Sequence, residues 1–260
     1  MGGAMRHFYW VVFVFVSFFS FLGFHLDSVK ATQMASVSQL REVTTTLAEY
    51  GYPDITVSDS VATFLPFSGS VSETGSGIPS SNGSADQNSW ISHATDTISA
   101  SGSAYGDAAW NGFTGGASVL SYSGFTYTFD VLSPSSYLFM GSGSSLRNVS
   151  DAMEAMVYAD VLGRLRDLTN STYLHTFSVG QDTSASFNYS GTLQPSRYSV
   201  YMSAQADVYP EYNEQFVDAT ASFQMQLKLA PSGTTIPVPE PKSVLLLLIG
   251  FAFLTRSARR

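Results

Sequence analysis

The chain has 260 residues, with 12 basic and 20 acidic side chains, four histidines and no cysteine. The missing cysteine excludes disulfides, thiol nucleophiles, thiolate zinc sites and iron–sulfur ligation. Between residues 32 and 240 six basic side chains face 19 acidic ones, a surface that repels nucleic acid and anionic membrane.

The first element is the uncharged run from Phe8 to Phe24, preceded by Arg6 and followed by "VKA". A basic start, an apolar core, and Val29 and Ala31 at −3 and −1 predict a secretory signal peptide over residues 1–31, cleaved after Ala31. Cleavage after Ala35 is the alternative, and an uncleaved membrane anchor is the competing reading.

The body that follows is rich in Ser, Thr, Gly and aromatics, and charged residues are 12% of the chain. That composition, with frequent Gly and Pro breaks, predicts an all-β domain over residues 32–230. In "QLREVTTTLAEY", Leu40, Val43, Leu47 and Tyr50 have helical spacing, but three consecutive threonines favour a strand. Residues 68–87 read as a long Gly/Ser loop between strands. "NSWISHATDTISASGSA" alternates weakly, and "FTYTFDV" alternates cleanly through Phe125, Tyr127, Phe129 and Val131.

The segment "NVSDAMEAMVYADVLGRLRDL" satisfies two periods. Val149, Met153, Met156, Val157, Val161, Leu165 and Leu168 share a helical face, whereas Val157, Ala159, Val161, Gly163 and Leu165 alternate. A helix over about residues 150–157 leading into a strand meets both signals. "RYSVYMSAQADV" and "DATASFQMQLKL" each keep period two and predict half-buried antiparallel strands. "VLSPSSY" and "TLQPSRY" predict turns at Pro134 and Pro195, each entering a strand.

No motif for chemistry stands out, and no cofactor is expected. His93 and His175 are far apart in predicted strands, without metal-ligand spacing. There is no Gly-x-Ser-x-Gly elbow, and the "GSGSS" stretch has no Lys-Ser/Thr after it to cradle phosphate. The candidate ligand loop is "YPEYNEQF", with Tyr209 and Tyr212 for stacking on a sugar and Glu211 and Glu214 as carboxylates. An exposed hairpin loop is the plainer reading of the same residues.

Residues 231–242 carry four prolines and predict an extended linker. The apolar run after it spans about 20 Å as a helix, against a hydrocarbon core of about 30 Å. Arginines on one side only would hold that side in the cytoplasm.

This tail resembles the PEP-CTERM sorting signal of exported bacterial proteins. Pro239, Glu240 and Pro241 match the motif. Val244, Leu245, Leu246, Leu247, Leu248, Ile249, Gly250, Phe251, Ala252, Phe253 and Leu254 match its membrane helix, and Arg256, Arg259 and Arg260 its basic end. The resemblance implies processing by an exosortase, a transient stay in the membrane, and release to the cell surface or an extracellular polysaccharide matrix. Inward stretches such as "FTYTFDVLSPSSYLFMGSGS" and "SGTLQPSRYSVYMSAQAD" are similar to β-sandwich bodies that carry this tail. The resemblance favours a strand over about residues 157–168, with a hairpin near Thr169 and Asn170.

The expected architecture is therefore all-β, an antiparallel, jelly-roll-like β-sandwich flanked by an N-terminal signal helix and a C-terminal transmembrane helix at residues 243–260. The expected function is that of an exported, non-enzymatic surface or matrix protein. A carbohydrate-binding module or a glycan-active enzyme is the alternative.

Overall fold

A computed structural model describes residues 33–49, 51–75, 80–109, 116–149, 155–210 and 216–233. The signal segment with Val29 and Ala31, the Pro-Glu-Pro motif, the apolar tail and its arginines, and Glu211, Tyr212 and Glu214 lie outside the described residues.

Among the described residues, twelve strands form two six-stranded sheets, and every pairing is antiparallel. In chain order they are β1 (Met34–Glu49), β2 (Ile55–Val61), β3 (Phe67–Thr74), β4 (Ser81–Ser92), β5 (Thr97–Ala109), β6 (Ala117–Val131), β7 (Ser135–Val149), β8 (Ala155–Asp167), β9 (Thr172–Val179), β10 (Ser184–Leu193), β11 (Ser196–Pro210) and β12 (Phe216–Pro231). The first sheet runs β2-β1-β6-β11-β8-β9, and the second runs β10-β7-β12-β5-β4-β3. Strands adjacent in sequence face each other across the interior: β5 over β6, β7 over β8, β11 over β12, and also β1 over β4.

The alternation of β6, β11 and β12 decides what lies between the sheets. Phe125, Tyr127, Phe129, Val200, Met202, Phe223 and Leu227 point inward and are buried. An aromatic cluster closes the side where β7, β9 and β10 meet. Phe139 lies 4.7 Å from Phe187, and His175 stacks on Tyr189 at 4.1 Å with parallel rings. Such aromatic pairs contribute about 0.5–1.5 kcal/mol beyond their buried area.

The "TTT" segment is a strand, because Gln39, Arg41, Val43, Thr45 and Leu47 alternate inward. Residues 68–74 and 81–87 are strand, not loop; β3 and β4 pair from Phe67↔Ser89 to Thr74↔Asn82. Residues 155–157 belong to strand β8, not to a helix, since Val157, Ala159, Val161 and Leu165 fill the interior in period two. His93 sits in the turn between β4 and β5, not in a strand. The two proline turns do enter strands, at Ser135 and Ser196. The second is fixed by the Tyr198 hydroxyl donating to the Gln194 carbonyl at 3.0 Å.

The start and end of the described domain lie together. Asp96 Oδ1 accepts from the backbone N–H of Gln33 at 3.0 Å, and Asp96 O accepts from Leu229 N–H at 2.9 Å. Gln33 O accepts from Leu132 N–H at 3.1 Å, and Pro134 O accepts from Ser232 N–H at 3.1 Å. The opposite end of the sandwich is where Phe216 pairs with Ala109 and Pro210 with Ala155.

His175 gives a pH prediction. Burial holds its imidazole below the ordinary value, and its Nε2 hydrogen-bonds the Tyr137 hydroxyl. A lowered folded pKa means that the unfolded chain binds the proton more readily. Stability from this group is complete above about pH 6.5 and is lost as pH falls through the lower folded value. His175→Phe keeps the stack and is expected to flatten the drop in urea midpoint between pH 7 and pH 5. An unchanged drop would assign it to other groups.

Candidate functional site

The strand period that buries Val208 and Ala206 turns Tyr201, Gln205, Asp207 and Tyr209 of β11 outward. The same rule turns Tyr158 and Asp160 of β8, and Leu120 and Tyr122 of β6, to that face. Register then sets the rows. Leu120, Asp207 and Tyr158 lie side by side, as do Tyr122, Gln205 and Asp160. Tyr209 pairs with Met156 one row further on.

The face combines apolar platforms with two carboxylates, the exposed Asp160 and the half-buried Asp207. Tyr158 is 52% exposed, Tyr209 40%, Met156 50% and Leu120 41%. Partial burial among them pushes the Asp160 and Asp207 carboxyls above the usual range. Diagonal neighbours across paired strands stand about 7–8 Å apart, so both carboxylates can reach one ligand of sugar size. Tyr122 lies over Gly124, where an added Cβ would come within 2.5 Å of its ring. Its hydroxyl is 3.3 Å from that of Tyr201. Burial first, and then this contact and the nearby Glu42, push the Tyr122 phenol far up, so it stays a neutral hydrogen-bonding group.

Of the predicted ligand residues, Tyr209 is placed on this face. Tyr158, Asp160, Asp207 and Tyr122 were missed in the sequence reading. Alternation was the signal that could have found them, since each occupies the outward phase of a strand whose inward phase is apolar.

The outer face of the second sheet differs. Ser101, Ser142, Ser144, Ser186, Ser222 and Gln224 line a shallow groove of about 540 Å³. It offers short hydroxyls, and the aromatic residue along it, Phe223, is buried. Among the described residues, no group of three or more His, Asp or Glu side chains is placed to hold a metal ion.

No protein-family model matches the chain, and no curated protein matches it. Among solved structures, a chain from the structure of Broad Bean Stain Virus is 10% identical, with a TM-score of 0.22, over 80% of this chain and 93% of that one. A Cowpea Mosaic Virus empty virus-like particle chain is 10% identical, with a TM-score of 0.20, over 80% and 88%. The enzymatically active domain of bacteriophage CBA120 tailspike protein 4 is 10% identical, with a TM-score of 0.20, and this chain spans 72% of itself but 19% of that one. Similarity at this level carries no functional argument.

Proposed function

We propose that this is an exported, non-enzymatic β-sandwich protein, sorted through its PEP-CTERM-like tail by an exosortase and working at the cell surface or in an exopolysaccharide matrix. The observation that carries the reading is the tail itself. Pro239, Glu240 and Pro241, the apolar run from Val244 to Leu254, and Arg256, Arg259 and Arg260 follow in that order. The fold adds support. Strand β12 ends beside the start of β1, at the end of the sandwich bound by Asp96 and Pro134. A domain held there would turn its opposite end, with Pro210 and Phe216, away from the membrane. The domains are accordingly read as a signal peptide over 1–31, the body over 32–230, the linker over 231–242 and the sorting helix with its basic end over 243–260.

The body is read as jelly-roll-like. Strands β5 to β12 follow the orders β5-β12-β7-β10 and β6-β11-β8-β9, with consecutive strands facing each other, the wiring of two nested Greek keys. Strands β1 to β4 widen both sheets.

Glu240→Ala tests the sorting. The wild type is expected to release a truncated form outside the cell, and the variant to accumulate at full length in the inner membrane. Release of both alike would sink the sorting reading.

A second reading, a saccharide-binding body, rests on the Tyr158–Tyr209 face. Stacked aromatic side chains and carboxylates recognise the apolar faces and hydroxyls of sugars. Tyr158→Ala with Tyr209→Ala is expected to weaken polysaccharide retention at least tenfold in affinity electrophoresis, the loss of about 1.4 kcal/mol. Unchanged retention, or none by the wild type, counts against it.

A further inference from the structure

The interior between β1 and β4 is polar, unlike the rest of the core. Val43 and Ala85 pack together, and a Cβ added at Gly83 would lie 2.3 Å from Thr45 Cγ2. Near the other end of these strands, the Ser36 hydroxyl reaches His93 Nε2 at 2.9 Å. The two strands thus run antiparallel across the gap in one register. Two residues beyond Val43 and Ala85 that register sets Arg41 against Gln87, and two further on Gln39 against Ser89.

All four are buried, with Arg41 0%, Gln87 1%, Ser89 1% and Gln39 6% exposed. Arg41 donates to two neutral acceptors, the Leu65 carbonyl and, at 2.6 Å, Gln39 Oε1. Among the described residues it forms no ion pair. Arg41 Nε, Gln39 Nε2, both amide atoms of Gln87, and Ser89 Oγ have no protein hydrogen-bond partner. Three of these atoms are obligate donors, Ser89 Oγ can donate or accept, and Gln87 Oε1 is the one obligate acceptor.

A guanidinium stays protonated in proteins, and a buried charge without a counter-charge is strongly destabilising. Orphaned buried donors point the same way, since such groups are normally satisfied by protein, water or an ion. We propose that the space between β1 and β4 binds one small monovalent anion of halide size, held by Arg41, Gln39, Gln87 and Ser89. The single positive charge sets the valence. The close approach of the sheets beside it sets the size, for Ser123 Oγ crosses to the Asp86 carbonyl at 2.7 Å over Gly102. The connection at residues 62–66 runs beside the guanidinium, with the Leu65 carbonyl accepting from Arg41 and Phe64 edge-on to Tyr127 at 6.2 Å.

Thermal unfolding of the full chain, with sodium bromide replacing sodium gluconate at constant ionic strength, tests this. Tm is expected to rise by about 3–5 °C for each tenfold increase in bromide above its dissociation constant. Arg41→Met is expected to abolish the slope. Should that variant fail to fold, Gln87→Leu and Ser89→Ala, which keep the charge, are expected to reduce it. A bromide-soaked crystal is expected to show an anomalous peak within hydrogen-bonding distance of Arg41 Nε. No bromide-specific slope, the same slope in these variants, or water alone at the position would overturn the proposal.

Discussion

Phe139→Ala is expected to lower the unfolding free energy by about 3–5 kcal/mol, the usual cost of deleting a buried phenyl ring and leaving a cavity. Phe139 is 0% exposed and touches the rings of Phe187, at 4.7 Å, and Tyr189, at 6.4 Å. Those rings in turn contact Phe177 and His175. The cluster joins three strands from both sheets, so collapse around the void would require both sheets to move. For a domain of this size the loss corresponds to a Tm lower by roughly 10–15 °C. Calorimetry of wild type and variant checks it, and a shift below ~3 °C would mean that the cluster repacks freely.

Gly102→Val is expected to cost a comparable amount by the opposite route. A Cβ at Gly102 would lie 2.1 Å from Ser123 Oγ, 2.9 Å from Phe223 Cε1 and 3.0 Å from the Asp86 carbonyl oxygen. The Ser123 side chain could escape only by giving up its hydrogen bond between the sheets, and the carbonyl belongs to backbone that cannot move alone. Overpacking of about 1–3 kcal/mol adds to a lost buried hydrogen bond of about 1–3 kcal/mol. The variant should unfold at clearly lower urea than wild type. A midpoint within error of wild type would show that the sheets are not held as close as this contact implies.

The same close approach explains which parts of the fold were legible. Strands β11 and β12 were read directly, because Val200, Met202, Phe223 and Leu227 alternate with polar residues. Strands β3 and β4 were misread as a loop for a packing reason. Where β4 faces β1, only a short residue fits at Gly83, as the 2.3 Å approach to Thr45 indicates. Serine and glycine at such positions are core residues that look like turn residues. Around the start of β8, the spacing of Val149, Met153, Val157 and Val161 in the sequence imitates a helix, and pairing with β11 from Tyr198↔Asp167 to Pro210↔Ala155 decides for a strand from Ala155 onward.

The candidate face was half legible. Tyr209 was found through its neighbours in a tyrosine-rich, acidic stretch. Tyr158 and Asp160 stood in a segment whose period was ambiguous, so their facing side could not be assigned. Their meeting with Leu120, Tyr122 and Asp207 depends on the β6-β11-β8 order, a long-range pairing that no local pattern encodes. Arg41 was counted in the sequence as one of six cations between residues 32 and 240. Its burial comes from falling in the inward phase of β1 opposite Gln87, again a matter of which strand faces which.

The central claim is that this β-sandwich is exported and released by removal of its tail. Intact-mass and terminal-peptide mass spectrometry of the protein recovered outside the producing cells tests it most directly. The account predicts a chain that begins at Thr32 and ends at or before Pro241, with the segment from Lys242 to Arg260 absent. A chain that keeps Arg256, Arg259 and Arg260 and is found only in the membrane fraction would contradict it.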